Sequence, residues 1–144
     1  MNTVLFEAYN YQMGWYDEQQ TILYLDVFAP WTWNEMYLLV GDMLGILGNT
    51  HYDFYTVQWF HDGGERLPNG ITLPHVKRIM TINYPHEQLL IMAGVPRWKP
   101  YMEIASRAMR IAGMQDADKF RFVDTVQEAL ALVEEHKSNC MRSR

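Results

Sequence analysis

Residues 88–95 read QLLIMAGV, an unbroken apolar run bounded by polar residues and closed by Gly94. A strand without a polar face must be covered on both sides. That is the situation of a central strand in a parallel sheet with helices packed against it. The rest of the chain is therefore read for alternating strands and helices.

The pattern supplies them. In MGWYDEQQTILYLDVFAP, two arms rich in β-branched and aromatic residues, Tyr11–Tyr16 and Thr21–Phe28, flank the polar stretch Asp17–Gln20, so a hairpin is expected. Leu5–Tyr9 extends it or forms a short edge strand. In PWTWNEMYLLVGDMLGILGN, Thr32 and Glu35 have the spacing of a capping box. Trp33, Met36, Tyr37, Val40, Leu44 and Leu47 then recur on one helical face, and Gly48–Asn49 ends the helix. Gly41 and Gly45 inside it each lower intrinsic helix stability by roughly 1 kcal/mol. Close approach to a sheet would give them a use.

YDFYTVQWF is the next strand. The Gly- and Pro-rich loop HDGGERLPNGITLPH leads to a short helix from about Leu73 to Ile82, with Pro74 in its first turn. KPYMEIASRAMRIAGM is a further helix opened by Pro100, with Tyr101, Ile104, Ala105, Ala108 and Ala112 as its apolar stripe and Gly113 near its end. FRFV is a last strand. TVQEALALVEEH is the final helix, with Val126, Ala129, Leu130 and Val133 on its buried face. The order predicts one α/β domain over 1–137, with a mixed sheet antiparallel at its start and parallel afterwards, flanked by about four helices. Residues 138–144 read as a polar, frayed C-terminal tail.

The chain's 144 residues suit a single domain, and a composition 49% apolar and 20% charged suits a globular one. Five Trp, nine Tyr and ten Met are many for this size. They fit either a bulky core or a surface for a partner or apolar ligand. A net charge of −5 argues against a nucleic-acid partner, which needs a basic footprint. The basic group Arg97, Lys99, Arg107 and Arg110 reads as a solvated helix face. Cys140 is the lone cysteine, so no intramolecular disulfide forms and a reducing, cytoplasmic setting is expected. MNTVLFEAYNYQ lacks the basic-then-apolar pattern of a signal peptide. No run approaches the roughly 18–20 apolar residues of a membrane helix, so no membrane insertion is expected.

Chemistry-bearing motifs are sparse. His51, His61, His75, His86 and His136 show no i, i+4 pair and no accompanying cysteine cluster, so no metal site is expected. DGGERLPNG matches neither phosphate-binding glycine loop, and no G-x-S-x-G elbow is present, so no cofactor is expected. His61–Asp62 could be an acid–base pair, but neighbours within a strand point to opposite faces. Asp124–Thr125 stands at a strand end, where α/β proteins often keep chemistry. Thr125 with Glu128 also fits a capping box, and Asp124 could cap Val126 or Gln127. Thr72 stands just before a helix. A phosphoryl group there would meet free N–H donors, and a hydroxyl there would serve equally as an N-cap.

In their order and spacing, GWYDEQQTILYLDV, WTWNEMY, LPHVKRI and above all FRFVDTVQEALALV resemble a STAS-like domain, the fold of bacterial anti-sigma factor antagonists. The resemblance runs from about Gly14 to Glu135 and is closest to a group of small bacterial proteins of that fold. It implies a compact four- to five-stranded sheet flanked by helices, and a binding or regulatory role without catalysis. In the antagonists a Ser or Thr opening the helix after a central strand is phosphorylated by a partner kinase, and the charge breaks the complex. The corresponding region here lacks the Asp-Ser-Ser-Gly kind of signature, and Thr72 is its nearest hydroxyl. The related fold in lipid-carrying domains points to an apolar ligand as well.

The leading expectation is a non-enzymatic regulatory module. It would bind a cytoplasmic protein partner through the 61–75 loop and the following helix, with His61, Asp62, Thr72 and His75 as partner-binding or phosphoswitch residues. The alternative is a protein that binds a small apolar ligand or metabolite. An enzyme would need His61, Asp62 and His75 to converge in a pocket. A homodimer through an aromatic face or a sheet edge fits every reading.

Overall fold

A computed structural model of the chain describes residues 2–68, 72–80, 82, 84–113 and 119–142. In chain order the elements are β1 (Thr3–Glu7), β2 (Tyr11–Trp15), β3 (Ile22–Val27), α1 (Trp33–Leu47), β4 (Phe54–Phe60), α2 (Thr72–Met80), β5 (Glu87–Ala93), a 3-10 turn (Pro96–Trp98), α3 (Lys99–Ile111), β6 (Phe120–Val123) and α4 (Val126–Arg142). The strands form one six-stranded sheet in the order β1-β2-β3-β4-β5-β6. β1, β2 and β3 pair antiparallel, and β3 through β6 pair parallel. The mixed sheet and its opening hairpin follow the sequence pattern. The strand number does not: six strands replace the four or five that the resemblance implied. Both short segments at the edges, Thr3–Glu7 and Phe120–Val123, join the sheet.

Chain order also decides where the helices go. Successive parallel neighbours joined by right-handed crossovers place every connecting helix on the same face. α1, α2 and α3 accordingly share one core with Leu23, Leu25, Phe60, Leu90 and Met92. α4 follows the last strand and folds back over the other face, where Ala129 and Val133 are fully buried against Ile22, Tyr24, Tyr55, Val57, Leu89 and Ile91. The apolar run at 88–95 is thus covered on both sides by different helices.

Local chemistry explains the element ends. Asp17 closes the β2–β3 hairpin, its carboxylate accepting the Thr21 and Ile22 amides at 2.9 Å each. Thr32 and Glu35 make both halves of the expected capping box, at 3.2 and 3.0 Å. Thr125 accepts the Glu128 amide at 3.2 Å and donates its hydroxyl to the Glu128 carboxylate. Thr125 therefore starts a helix.

Several expectations of detail need correction. Gly41 and Gly45 do not approach the sheet: a Cβ at either would meet no atom within 4 Å. The buried face of α1 is Met36, Leu39, Val40, Met43 and Leu47, and Leu44 is exposed. The buried stripe of α3 is Met102, Ala105 and Met109, while Tyr101 and Ile104 face outward. α4 runs through Arg142, past the point where a frayed tail was placed; Ser143 and Arg144 lie outside the described residues. α2 ends at Met80, and Thr81, within the expected helix, also lies outside them.

Candidate functional site: a cavity beneath α2 and the loop that leads to it

α2 packs on α1 and α3. Val76 and Met80 are its buried residues. Between it and the sheet lies a partly open cavity of about 70 Å³ with almost wholly apolar walls. Trp31, Trp33 and Trp98 are among the aromatic side chains of the lining, and Met36, Met43, Met80, Met92 and Met102 contribute five flexible thioethers. Half of the chain's ten methionines therefore line one space. Unbranched Met side chains re-pack around different shapes at low cost.

The wall carries one charged pair. Lys119, 9% exposed, places Nζ 2.9 Å from Oε1 of Glu87, whose side chain is wholly buried. Thr56, also fully buried, donates its hydroxyl to Glu87 Oε2 at 2.6 Å. Tyr84 lies beside them, its ring centre 5.9 Å from Nζ. Burial first, and the Glu87 carboxylate second, push the Tyr84 phenol up to about 12. Among the described residues the Trp33 indole N–H, buried in the wall, has no hydrogen-bond partner, and Glu87 Oε1 has its ion-pair contact but accepts no hydrogen bond.

The loop after β4 is tied to the same aromatic group. Trp31 Nε1 donates to the Gly64 carbonyl at 2.7 Å, and Trp98 Nε1 to the Glu65 carbonyl at 3.0 Å. Gly64 passes so close to β3 that a Cβ would sit 2.3 Å from the Val27 carbonyl oxygen. Asp62 stands at φ 51°, which turns the chain back on itself. This brings His61 and Asp62 together, contrary to the opposite-faces expectation: His61 lies one residue past β4, and its Nδ1 is 2.9 Å from Asp62 Oδ2. Asp26 of β3, which no local pattern indicated, holds the other ring nitrogen at 2.6 Å. The ring stacks on Trp59, with centroids 5.1 Å apart. Burial alone would lower the His61 pKa, but hydrogen bonds and charge from Asp26 and Asp62 outweigh it, so the pKa rises above its ordinary value. With both nitrogens held by carboxylates, the ring offers no free nitrogen to accept a substrate's proton.

His75 belongs to a different group. Its Nδ1 shares a 2.6 Å hydrogen bond with the Tyr37 hydroxyl, and its ring stacks on Trp33 at 4.7 Å. Arg78 lies over the Tyr37 ring. Thr72 is half-buried and already helical, so it is not the N-cap of α2; residues 69–71, where a cap would stand, lie outside the described residues. The structure thus pairs His61 with Asp62, seats Thr72 and His75 together on α2, and brings no contact between His75 and the His61 group. Among the described residues, no group of three or more His, Cys, Asp or Glu could hold a metal ion. The basic residues Lys99, Arg107 and Arg110 are exposed and flank an open groove between α3 and β6.

Sequence reasoning marked the Met and aromatic excess without locating it. The polar floor of the cavity was missed altogether, because Glu87, Lys119 and the Thr56 that donates to Glu87 come from three different strands or their ends. Comparison with protein families, with curated proteins and with solved structures finds no match to this chain.

Proposed function

We propose that this chain is a non-enzymatic binding module with a STAS-like fold, and that it holds a small apolar molecule between α2 and the sheet. The observation that carries this reading is the cavity of about 70 Å³, walled by three tryptophans and five methionines. Well-packed interiors leave few voids larger than a water. A space this size lined by adaptable side chains fits a binding role better than a packing role. Cavities of about 150 Å³ with such walls admit benzene, so the occupant here is a molecule of a few heavy atoms. Occupancy would be felt at α2, which closes the cavity and carries Thr72 and His75.

The test is to isolate the protein from its native cells and analyse both co-purifying proteins and extracted small molecules by mass spectrometry. A small apolar compound in near-stoichiometric amount is the expected result. An empty protein accompanied by a stoichiometric protein partner would reject the ligand reading.

That second outcome corresponds to a second reading, a cytoplasmic protein partner docking on the 61–68 loop and α2. The two indole anchors at Gly64 and Glu65 favour it, because a pre-organised loop loses little entropy on binding. On this reading Thr72→Glu should weaken partner binding at least tenfold and Thr72→Ala much less. Equal effects of the two would remove the phosphoswitch.

A further inference from the structure

The polar floor of the cavity limits which apolar molecule can occupy it. Among the described lining residues only Glu87 and Lys119 are charged, and they cancel each other across 2.9 Å. An anionic ligand would sit beside the buried Glu87 carboxylate, and a cationic one beside the buried Lys119 ammonium. Either would lose its hydration without gaining an unshared counter-charge. Tyr84, with its phenol pushed up to about 12, remains neutral and supplies no compensating charge.

The ammonium is under-used as a donor. It carries three N–H groups. Glu87 Oε1 lies 2.9 Å from Nζ as its ion-pair partner, the Tyr84 ring face lies at 5.9 Å, and among the described residues no hydrogen bond from the ammonium is formed. A donor left unmade in an apolar wall is unfavourable, and a ligand oxygen placed there recovers a charge-assisted hydrogen bond.

We propose that the cavity takes an uncharged apolar molecule of a few heavy atoms bearing one hydrogen-bond-accepting oxygen, such as a small ketone, ester or alcohol, with that oxygen on the Lys119 ammonium. This rests on the reading of the cavity as a ligand site and adds the chemical class of the ligand. The five methionines adapt to its apolar part, while Thr56 and Lys119 hold Glu87 in place whether or not the cavity is filled.

The test compares acetone with isobutene, which replaces the carbonyl oxygen by a CH2 of similar shape, and with isopropylamine, which is cationic at neutral pH. Binding is followed through the indole N–H signals of Trp31, Trp33 and Trp98. The ketone should bind roughly tenfold or more tightly than the hydrocarbon, as expected for one charge-assisted hydrogen bond, and the amine should not bind. A double variant, Glu87→Gln with Lys119→Met, removes both charges together and should bind ketone and hydrocarbon equally. If that variant does not fold, the wild-type comparison alone decides. Equal wild-type affinity for ketone and hydrocarbon would overturn the polar anchor while leaving the cavity a ligand site. Preference for the amine would overturn the neutrality argument. Failure of all three to bind would overturn the ligand reading itself.

Discussion

His61 shows how much of a residue's behaviour lies beyond its neighbours in sequence. Its pair with Asp62 is local and was visible as adjacent letters, although strand alternation argued against it. The φ of 51° at Asp62 overrides that alternation. Asp26 stands 35 positions away, and only the parallel register that aligns it with Trp59 brings it to the ring. The same distinction separates the helix caps from the cavity floor. Thr32–Glu35 and Thr125–Glu128 were legible because a cap is an i, i+3 matter. Glu87 with Thr56 and Lys119 was not, because register alone joins them. The raised His61 pKa has a defined consequence for stability. A group that binds its proton more tightly when folded stabilises the fold fully below its unfolded pKa of about 6.5, and this contribution is lost as pH rises through the folded value. Unfolding free energy should therefore fall as pH rises above about 6.5, and His61→Gln should flatten that slope in chemical-denaturation measurements. Identical slopes in the two proteins would show that the pair with Asp26 and Asp62 does not contribute.

At the scale of elements, sequence periodicity located every helix and misjudged which way two of them face. In α3 both Tyr101–Ile104–Ala108 and Met102–Ala105–Met109 recur at helical spacing. The second stripe is buried because α3 also flanks the cavity, where Met102 lies against the wall. The glycines of α1 make the same point. Open space at Gly41 and Gly45 means that helix propensity alone governs those positions. Gly41→Ala and Gly45→Ala should each stabilise the protein by up to about 1 kcal/mol, read as a raised denaturation midpoint. Gly64→Ala should do the opposite. Its Cβ would press on the Val27 carbonyl, and the cost should lie at the upper end of the roughly 1–3 kcal/mol that overpacking brings. A stabilised Gly64→Ala protein would show that the loop is not held against β3 as described.

Across the whole molecule, sheet order decides where a ligand can go. Open α/β sheets commonly bind ligands in a crevice at strand ends, where successive crossovers diverge to opposite faces. This sheet keeps its strands in chain order, and its three connecting helices lie on one face. No such divergence exists, and the available space lies inside, between α2 and the sheet. Among the described residues no helix is long and apolar enough to cross a membrane. The Met and aromatic excess seen in composition thus acquires a location, one that no single stretch of sequence could supply because α1, α2, α3, β4, β5 and β6 all contribute to it. The most direct measurement of ligand binding in this cavity is the set of five indole N–H resonances, recorded before and after adding a small-molecule extract of the native cells. Trp31, Trp33 and Trp98 line the cavity, whereas Trp15 and Trp59 lie elsewhere. The first three should shift and the other two should hold still. Five unmoved signals, or shifts centred on Trp15 or Trp59, would contradict binding there.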